Sequence, residues 1–304
     1  TSLIDSLGDE LRRRYEQVML RQIETLEGAD RASWRLSLAE FRRDALGDPA
    51  AAAEVFQATV KDDPSRADVL VALEPIYAKL GQEDDLQRTL RARLALETGS
   101  RERAEVLFRL ASLVLASDRA RALSYAVEAL AAQPDYADVR ALVDSFLADD
   151  DSRQTAAEAL IASYRSLEAF DELAKLHERL VTFAASIPVR TDARLAHASV
   201  LSGDLRNFAA AADVIAAGVL DDPSHEGLRS ELLRLTETTE NYELAADTLA
   251  TAARQTPPDV ALLMVAASLY ATRANLPARA EELLGEVLAE TPTHAGALAL
   301  LSEL

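Results

Sequence analysis

The sequence predicts an all-α protein built as an α-solenoid, a stack of antiparallel helix pairs. Alanine, leucine, arginine and glutamate, which are strong helix formers, dominate the 304 residues, whereas glycine and proline number only 10 each. In addition, four prolines recur along the chain, two of their three intervals differ by a single residue, and each proline lies between two segments of helical hydrophobic periodicity. These prolines, called the anchor prolines below, are Pro64, Pro134, Pro223 and Pro292.

Composition limits the function classes. A hydrophobic content of 49% suffices for a core, but no apolar run approaches the roughly 20 residues of a membrane-spanning helix. Without cysteine there are no disulfides and no thiolate ligands. The net charge of -19 disfavours nucleic acid, whose phosphates need a basic footprint, and is compatible with a basic protein partner. Only three of the 32 basic residues are lysine, which is typical of a GC-rich bacterial genome.

The opening TSLIDSLGDE has no initiator Met and no signal-peptide pattern. We therefore expect a cytoplasmic segment of a longer bacterial protein. Residues 1–30 precede the first repeated unit and are predicted to be an N-terminal helical segment.

Each anchor proline closes one helix. An alanine lies twelve residues before every anchor proline and an apolar or small residue lies eight before it, so both face the same side of a helix. The four pairs are Ala52 with Phe56, Ala122 with Ala126, Ala211 with Ile215, and Ala280 with Leu284. We expect these alanines to lie where paired helices cross closely.

Each anchor proline also opens the next helix. The residue after it is Ser65, Asp135, Ser224 or Thr293, whose side chains can accept hydrogen bonds from the free N–H groups of a first helical turn. We therefore predict that these four residues are N-caps. The Asp-Asp-Pro-Ser tetrapeptide, which occurs at 62–65 and again at 221–224, then marks a turn between two helices.

A further helix precedes each helix that ends at an anchor proline and completes the pairs. It contains an apolar residue followed by alanine, at Leu38-Ala39, Leu110-Ala111, Leu195-Ala196 and Val265-Ala266. Stacked helix hairpins bury a continuous core that no single pair could bury alone.

These residues resemble the tetratricopeptide repeat (TPR), a helix-turn-helix unit of about 34 residues with a small residue early in its second helix and a proline at its end. The resemblance rests on Ala52, Phe56 and Pro64, and in the following unit on Leu73, Tyr77 and Gly81. It covers most of the chain from about residue 31. The first-helix aromatic is missing and Pro75 lies inside a first helix, so the array is degenerate. The resemblance implies a right-handed superhelix whose first helices line a concave binding face.

The anchor spacing predicts one irregularity. The anchor prolines are 70, 89 and 69 residues apart, so the middle interval holds roughly one additional helix. An apolar stripe at spacings of three and four supports a helix there: Val139, Leu142, Val143, Phe146 and Leu147. We expect TPR-like pairs over 31–134, an unpaired inserted helix over 135–151, and further pairs over 152–304 in an array truncated at the C-terminus. Asp149 to Asp151 should form the turn after the inserted helix, with Asp151 or Ser152 as the next cap.

The sequence contains no signature of an enzyme. A glycine-rich phosphate loop, a nucleophile elbow and a His-Glu-x-x-His motif are all absent. The histidines are dispersed, at His177, His197, His225 and His294, and the last two share an expected exposed position two residues after an anchor proline. We predict no catalytic residues, no metal site and no cofactor.

The resemblance implies a partner-binding groove. Its register assigns Glu40, Ser112 and His197 in the helices with the apolar-alanine pair, and Asp68, Asp138 and Arg234 in the helices after an anchor proline. Ordinary solvated positions are the alternative explanation for all six. Trp34, the single tryptophan, is a candidate interface anchor, with helix packing as the alternative. The family's carboxylate clamp needs lysine and asparagine at such positions, so a C-terminal carboxylate ligand is disfavoured.

The leading prediction is a non-enzymatic scaffold that binds another protein or peptide. The alternative is a structural spacer that sets the distance between flanking domains and uses no groove. An enzyme, or the regulatory domain of one, is the third hypothesis.

Overall fold

A computed structural model describes residues 3–255 and 257–304 of the chain, with side chains from residue 8 onward. These ranges contain 17 α-helices, one π-helical segment and no strand, which confirms the all-α class. None of the described helices combines the length and the hydropathy of a membrane span. The helices divide into two compact units, unit 1 up to Ser163 and unit 2 from Tyr164.

In unit 1, each helix from α1 to α7 packs against the next one along the chain. The pairs α2–α3, α4–α5 and α6–α7 are the predicted hairpins, and the first of them begins at Gly28. The bounds are α1 Leu3–Thr25, α2 Gly28–Asp44, α3 Pro49–Asp62, α4 Ala67–Leu80, α5 Glu83–Leu96, α6 Ser100–Val114, α7 Arg119–Ala132, α8 Ala137–Asp144 and α9 Asp150–Ser166, whose last turn belongs to unit 2.

In unit 2, the hairpins are α11–α12, α13–α14 and α15–α16. The second helices α12 and α14 also contact each other, as do the first helices α15 and α17. Second helices thus stack on second helices and first helices on first helices, as in a TPR array. The bounds are α10 Phe170–Phe183, α11 Ile187–Ser199 with a π segment Val200–Asp204, α12 Phe208–Asp221, α13 Glu226–Thr239, α14 Tyr242–Ala253, α15 Val260–Thr272, α16 Pro277–Glu290 and α17 Ala295–Glu303.

The predicted helix crossings are confirmed. All four alanines twelve residues before an anchor proline are fully buried, as are the residues four positions after them. In unit 1, Ala52 and Phe56 join Leu73, Ile76 and Tyr77 in one hydrophobic cluster. The small side chains let the backbones of paired helices approach, and the large ones fill the space between neighbouring hairpins.

The prediction that the residue after each anchor proline is an N-cap was wrong. The Ser65 hydroxyl donates instead to Asp63 Oδ1 at 2.6 Å, and the Ser224 hydroxyl donates to Asp222 Oδ1 at 2.7 Å. Each serine therefore uses its hydroxyl to close the turn around the proline. The N-caps lie one residue later, at Arg66, Tyr136, His225 and His294.

Two of these later caps are histidines, which also corrects their expected exposure. Nδ1 of His225 accepts from the Leu228 N–H at 3.2 Å, and Nδ1 of His294 accepts from the Ala297 N–H at 3.1 Å. Both rings are half-buried against the first turns of α13 and α17. Their shared position two residues after an anchor proline thus reflects helix capping by the Nδ1 atom of each imidazole.

The inserted helix is present and shorter than predicted. Helix α8 has eight residues, and the apolar stripe continues through the turn that follows it. Val139, Val143, Phe146 and Leu147 are fully buried, and the Arg119 guanidinium lies 4.8 Å from the Phe146 ring centroid. The principal packing neighbour of α8 is α7, which already pairs with α6. Helix α8 is therefore outside the regular hairpins.

The cap of the following helix also differs from the prediction. Helix α9 begins at Asp150, inside the acidic run, and the carbonyl oxygen of Asp149 accepts the first helical hydrogen bond from Arg153 N–H at 2.9 Å. The Ser152 hydroxyl donates to Asp149 Oδ2 at 2.6 Å. Ser152 therefore lies within the first turn of α9, and Asp149 rather than Asp151 or Ser152 marks the helix start.

In α11 the predicted position of the apolar-alanine pair was wrong by two residues. Leu195 and Ala196 are only half-buried, whereas His197 and Ala198 occupy the buried crossing position. Ala198 lies as far before Pro223 as Ala39 lies before Pro64. The π segment that follows in the same helix accommodates a local change in helical phase.

Candidate functional site

A continuous groove lies between the first helices α13 and α15 of unit 2. Two adjoining cavities of about 380 and 320 Å³ form it, and Leu233 and Val265 line both of them. Val265 is 40% exposed although it is a valine in a regular helix. Tyr242, Met264 and Leu269 extend the apolar lining at one end.

The sequence of α15 explains why an apolar surface remains open here. This helix is apolar on all sides, so one face can be buried while another still presents hydrophobic side chains. Leu263, Ala266 and Tyr270 pack into the core of unit 2, while Val265 and Leu269 line the groove. An apolar helical face that neighbouring helices leave uncovered is a typical binding surface.

Charged residues surround the apolar lining. They are Glu226, Arg229, Glu237, Asp259 and Arg273. Three of the five have internal partners. Arg229 donates to the carbonyl oxygen of Pro223 at 3.0 Å, Asp259 accepts from the N–H groups at the start of α15, and the Arg273 guanidinium lies 4.9 Å from the centroid of the Tyr242 ring.

The corresponding seam of unit 1, between first helices α4 and α6, is ionic. Glu74 on α4 is 1% exposed and accepts hydrogen bonds from Arg109 on α6 and from Arg93 on α5, the latter at 3.0 Å. Arg93 also donates to Glu97 at 2.7 Å. A buried carboxylate needs such partners because its desolvation is costly. These charges tie three helices together.

Five of the sequence-predicted site residues lie in unit 1, and all five are exposed. Asp68 accepts two hydrogen bonds from Arg66, at 2.9 and 2.6 Å, which lower the pKa of its carboxyl group. The Ser112 hydroxyl donates to the carbonyl oxygen of Phe108. Trp34 on α2 is 36% exposed, as an interface anchor requires. The remaining two are Glu40 and Asp138.

The other two predicted site residues lie in unit 2. Arg234 on α13 is exposed and donates to both carboxylate oxygens of Glu231. His197 is buried, because the register of α11 differs from the predicted one, and little of its surface is left for a ligand. Among the described residues, no hydrogen bond or ion pair joins any two of the seven, and none of the seven lines the groove between α13 and α15. Their role in partner binding stays a prediction.

The fold brings two of the dispersed histidines into electrostatic contact. His177 on α10 is buried, and neither of its ring nitrogens has a hydrogen-bond partner in the described part of the chain. Burial, followed by the nearby His197 and Arg165, lowers the pKa of His177 to about 4. Burial also lowers the pKa of His197, against an opposing contribution from Glu178. Both imidazoles are therefore neutral at pH 7. Within the described ranges, no cluster of three or more His, Asp or Glu side chains could hold a metal ion.

The groove residues were missed at the sequence level, although a signal for them existed. Leu233 lies ten residues after Pro223, and the same step from Pro64 leads to Glu74. An apolar residue at a position that is charged in the other unit is the local sign of the groove. Only the packing shows that this position faces a neighbouring first helix rather than the core.

Comparison with known proteins gives structural matches only. No protein-family model and no curated protein matches the chain. A tetratricopeptide repeat protein from Parabacteroides merdae is similar at 16% sequence identity, and the match covers 89% of this chain and 97% of that protein with a TM-score of 0.31. MamA is similar at 22% sequence identity, and the match covers 57% of this chain and 96% of MamA with a TM-score of 0.31. An assembly chaperone of RpL4 is similar at 16% sequence identity, and the match covers 90% of this chain and 94% of the chaperone with a TM-score of 0.27.

At identities and TM-scores this low, the fold is judged from the helices of the chain itself. Those helices form a TPR-like array: consecutive hairpins, alanines at the crossings and, in unit 2, a contact between two second helices and another between two first helices.

Proposed function

We propose that the chain is a non-catalytic protein-binding array that holds a segment of a partner protein in the groove between α13 and α15. One observation carries the proposal: Leu233, Val265 and Leu269 form an apolar surface that the fold leaves open between two first helices. Covering such a surface with a ligand releases water from apolar groups, which contributes a favourable free energy of about 25 cal/mol per Å² of apolar surface buried.

The shape of the groove favours a chain segment as ligand over a small molecule. Its two cavities are joined end to end along the helices, so the surface is elongated. The Met264 side chain is flexible and polarizable, which lets the lining adapt to different apolar side chains. A structural spacer needs neither property. The open groove therefore favours the scaffold over the spacer.

The test is selection of binders from a random peptide library by the purified chain, followed by affinity measurements on the selected peptides. Val265→Glu should abolish their binding, because it places a charge in the centre of the apolar surface. Val71→Glu is the matched control, since Val71 is a valine on first helix α4 of unit 1 with 45% exposure. Equal losses in both variants, or a library that yields no binder, would favour the spacer.

A further inference from the structure

We infer that the segment bound in this groove carries two basic side chains, one on each side of an apolar one. The inference rests on the proposed function and adds the chemistry of the partner. On the face that α13 presents to the groove, four residues follow one another at steps of four, three and four: Glu226, Ser230, Leu233 and Glu237. These steps place the four side chains in one row along the helix.

Glu226 and Glu237 are the charges of the groove that have no internal partner. Both are exposed, and among the described residues neither accepts a hydrogen bond nor forms an ion pair. The other carboxylate, Asp259, is occupied by the N–H groups of α15. The two arginines are held by Pro223 and by the Tyr242 ring, as described above. An incoming ligand therefore meets two free carboxylates with an apolar surface between them.

The spacing of the two glutamates fixes the spacing of the complementary charges. Eleven residues separate them on α13, which corresponds to about 16 Å at 1.5 Å per helical residue. An extended peptide covers that distance in about five residues at 3.3 Å each. Because alternate residues of an extended peptide face the same side, two charges that both face the groove lie an even number of positions apart. Lysine or arginine side chains about six positions apart, with leucine or a similar residue at the even positions between them, would place both charges and the apolar group on the face toward the groove.

The overall charge of the chain supports the same choice. At -19, the protein attracts basic segments at long range and repels acidic ones, which raises the association rate of a basic ligand. An acidic ligand would need free lysine or arginine side chains along the groove. The two guanidiniums that line it are each positioned by a contact within unit 2, Arg229 by the Pro223 carbonyl oxygen and Arg273 by the Tyr242 ring.

Three synthetic ten-residue peptides test the inference by calorimetry on the full chain. Each has leucine at its fifth and seventh positions, the third and ninth positions are both lysine, both glutamate or both serine, and the remaining positions are serine. The lysine peptide should bind most tightly and lose affinity as salt is raised. The double variant Glu226→Gln/Glu237→Gln should weaken it about threefold to tenfold, as expected for two exposed ion pairs, and should leave the serine peptide unchanged.

The control variant is Glu281→Gln/Glu290→Gln, which removes the same charge from two exposed glutamates of α16 outside the groove. It should change the affinity for the lysine peptide by much less than the groove variant. Equal effects of the two double variants, or equal or tighter binding of the glutamate peptide, would overturn the inference and leave the groove as a binding site. If none of the three peptides binds and Val265→Glu has no effect on selected library peptides, the inference and the proposed function both fail.

Discussion

The seam between α4 and α6 in unit 1 and the seam between α13 and α15 in unit 2 have the same register and opposite chemistry. Glu74 lies ten residues after Pro64, and Leu233 lies ten after Pro223. Arg93 and Ala252 also lie at equal distances after these two prolines. Arg109 and Met264 each precede an apolar-alanine pair. The three residues of the ionic cluster in unit 1 thus correspond to three apolar residues in unit 2.

The comparison shows how one fold can make a closed seam and an open one. In unit 1 the guanidiniums of Arg93 and Arg109 reach Glu74 and bridge the helices. In unit 2 the corresponding side chains are shorter or apolar, so no described ion pair joins α13 to α15 and the surface around Val265 stays accessible. The side chains of the seam, and not the backbone, make this difference.

The largest effect should come from breaking the ionic seam. Glu74→Leu places the unit 2 residue in unit 1, removes the carboxylate partner of Arg109 and leaves Arg93 with Glu97 alone. We expect a loss of about 3 kcal/mol in the free energy of unfolding, because the largely buried Arg93 guanidinium loses one of its two carboxylate partners. Chemical denaturation monitored by circular dichroism measures it.

The triple variant Glu74→Leu/Arg93→Ala/Arg109→Met provides the control. It copies the whole apolar cluster and should recover most of the lost stability, since a buried ion pair is often replaceable by packed apolar residues. If the triple variant is less stable than the single one, the two seams are not equivalent.

The next effect concerns what the two units share. Ala52 and Ala211 are both fully buried at helix crossings. Replacing either with leucine should cost about 2 kcal/mol, because the added volume pushes the paired helices apart. Thermal unfolding should show similar losses for both, and Ala209→Leu on the exposed side of α12 should show almost none. A large difference between Ala52→Leu and Ala211→Leu would mean that the crossings are packed differently.

The pH effect of histidine protonation should be confined to unit 2, which contains all four histidines. The native pKa of His177 is about 4, below its unfolded value near 6.5, so below pH 6.5 the unfolded state binds the additional proton. This histidine therefore contributes little pH dependence above pH 6.5, and stability falls as the pH is lowered from there toward 4. Between pH 6.5 and 5 we expect a loss of about 1.5 kcal/mol, because each unit of pKa difference corresponds to roughly 1.4 kcal/mol.

The variant His177→Leu separates this effect from the titration of carboxylates. It should flatten the dependence of the unfolding free energy on pH between 6.5 and 5, while the carboxylate-dependent loss at lower pH remains. An unchanged slope in this variant would show that His177 is protonated equally in the folded and unfolded states.

The smallest effect lies in two equivalent turns. Gly81 ends α4 with φ of 68°, and Glu240, at the same distance after its own anchor proline, ends α13 with φ of 55°. Left-handed backbone favours glycine, because other residues carry a Cβ that clashes there. Glu240→Gly should raise stability by about 0.5 kcal/mol, seen as a small shift in the denaturation midpoint. Gly81→Glu should lower it, and opposite signs would contradict the turn equivalence.

The sequence alone determined the helical class, the hairpin stacking and the place of the extra helix. Alanines at fixed distances from the anchor prolines identify the crossings, because close helix packing tolerates only small side chains there. The lengthened interval between Pro134 and Pro223 locates α8. These features depend on local periodicity and chain length, both of which are written in the order of the residues.

The tertiary structure decided what the polar side chains do. Whether Ser65 caps a helix or closes a turn, and whether His197 faces outward or inward, depends on a shift of one or two residues that periodicity does not resolve. The groove between α13 and α15 is lined by seam side chains that are too short or too apolar to bridge it, so it appears only when helices far apart in sequence lie side by side. Hydrogen bonds and packing across such seams are short-ranged, and they select one register among several that the sequence pattern allows.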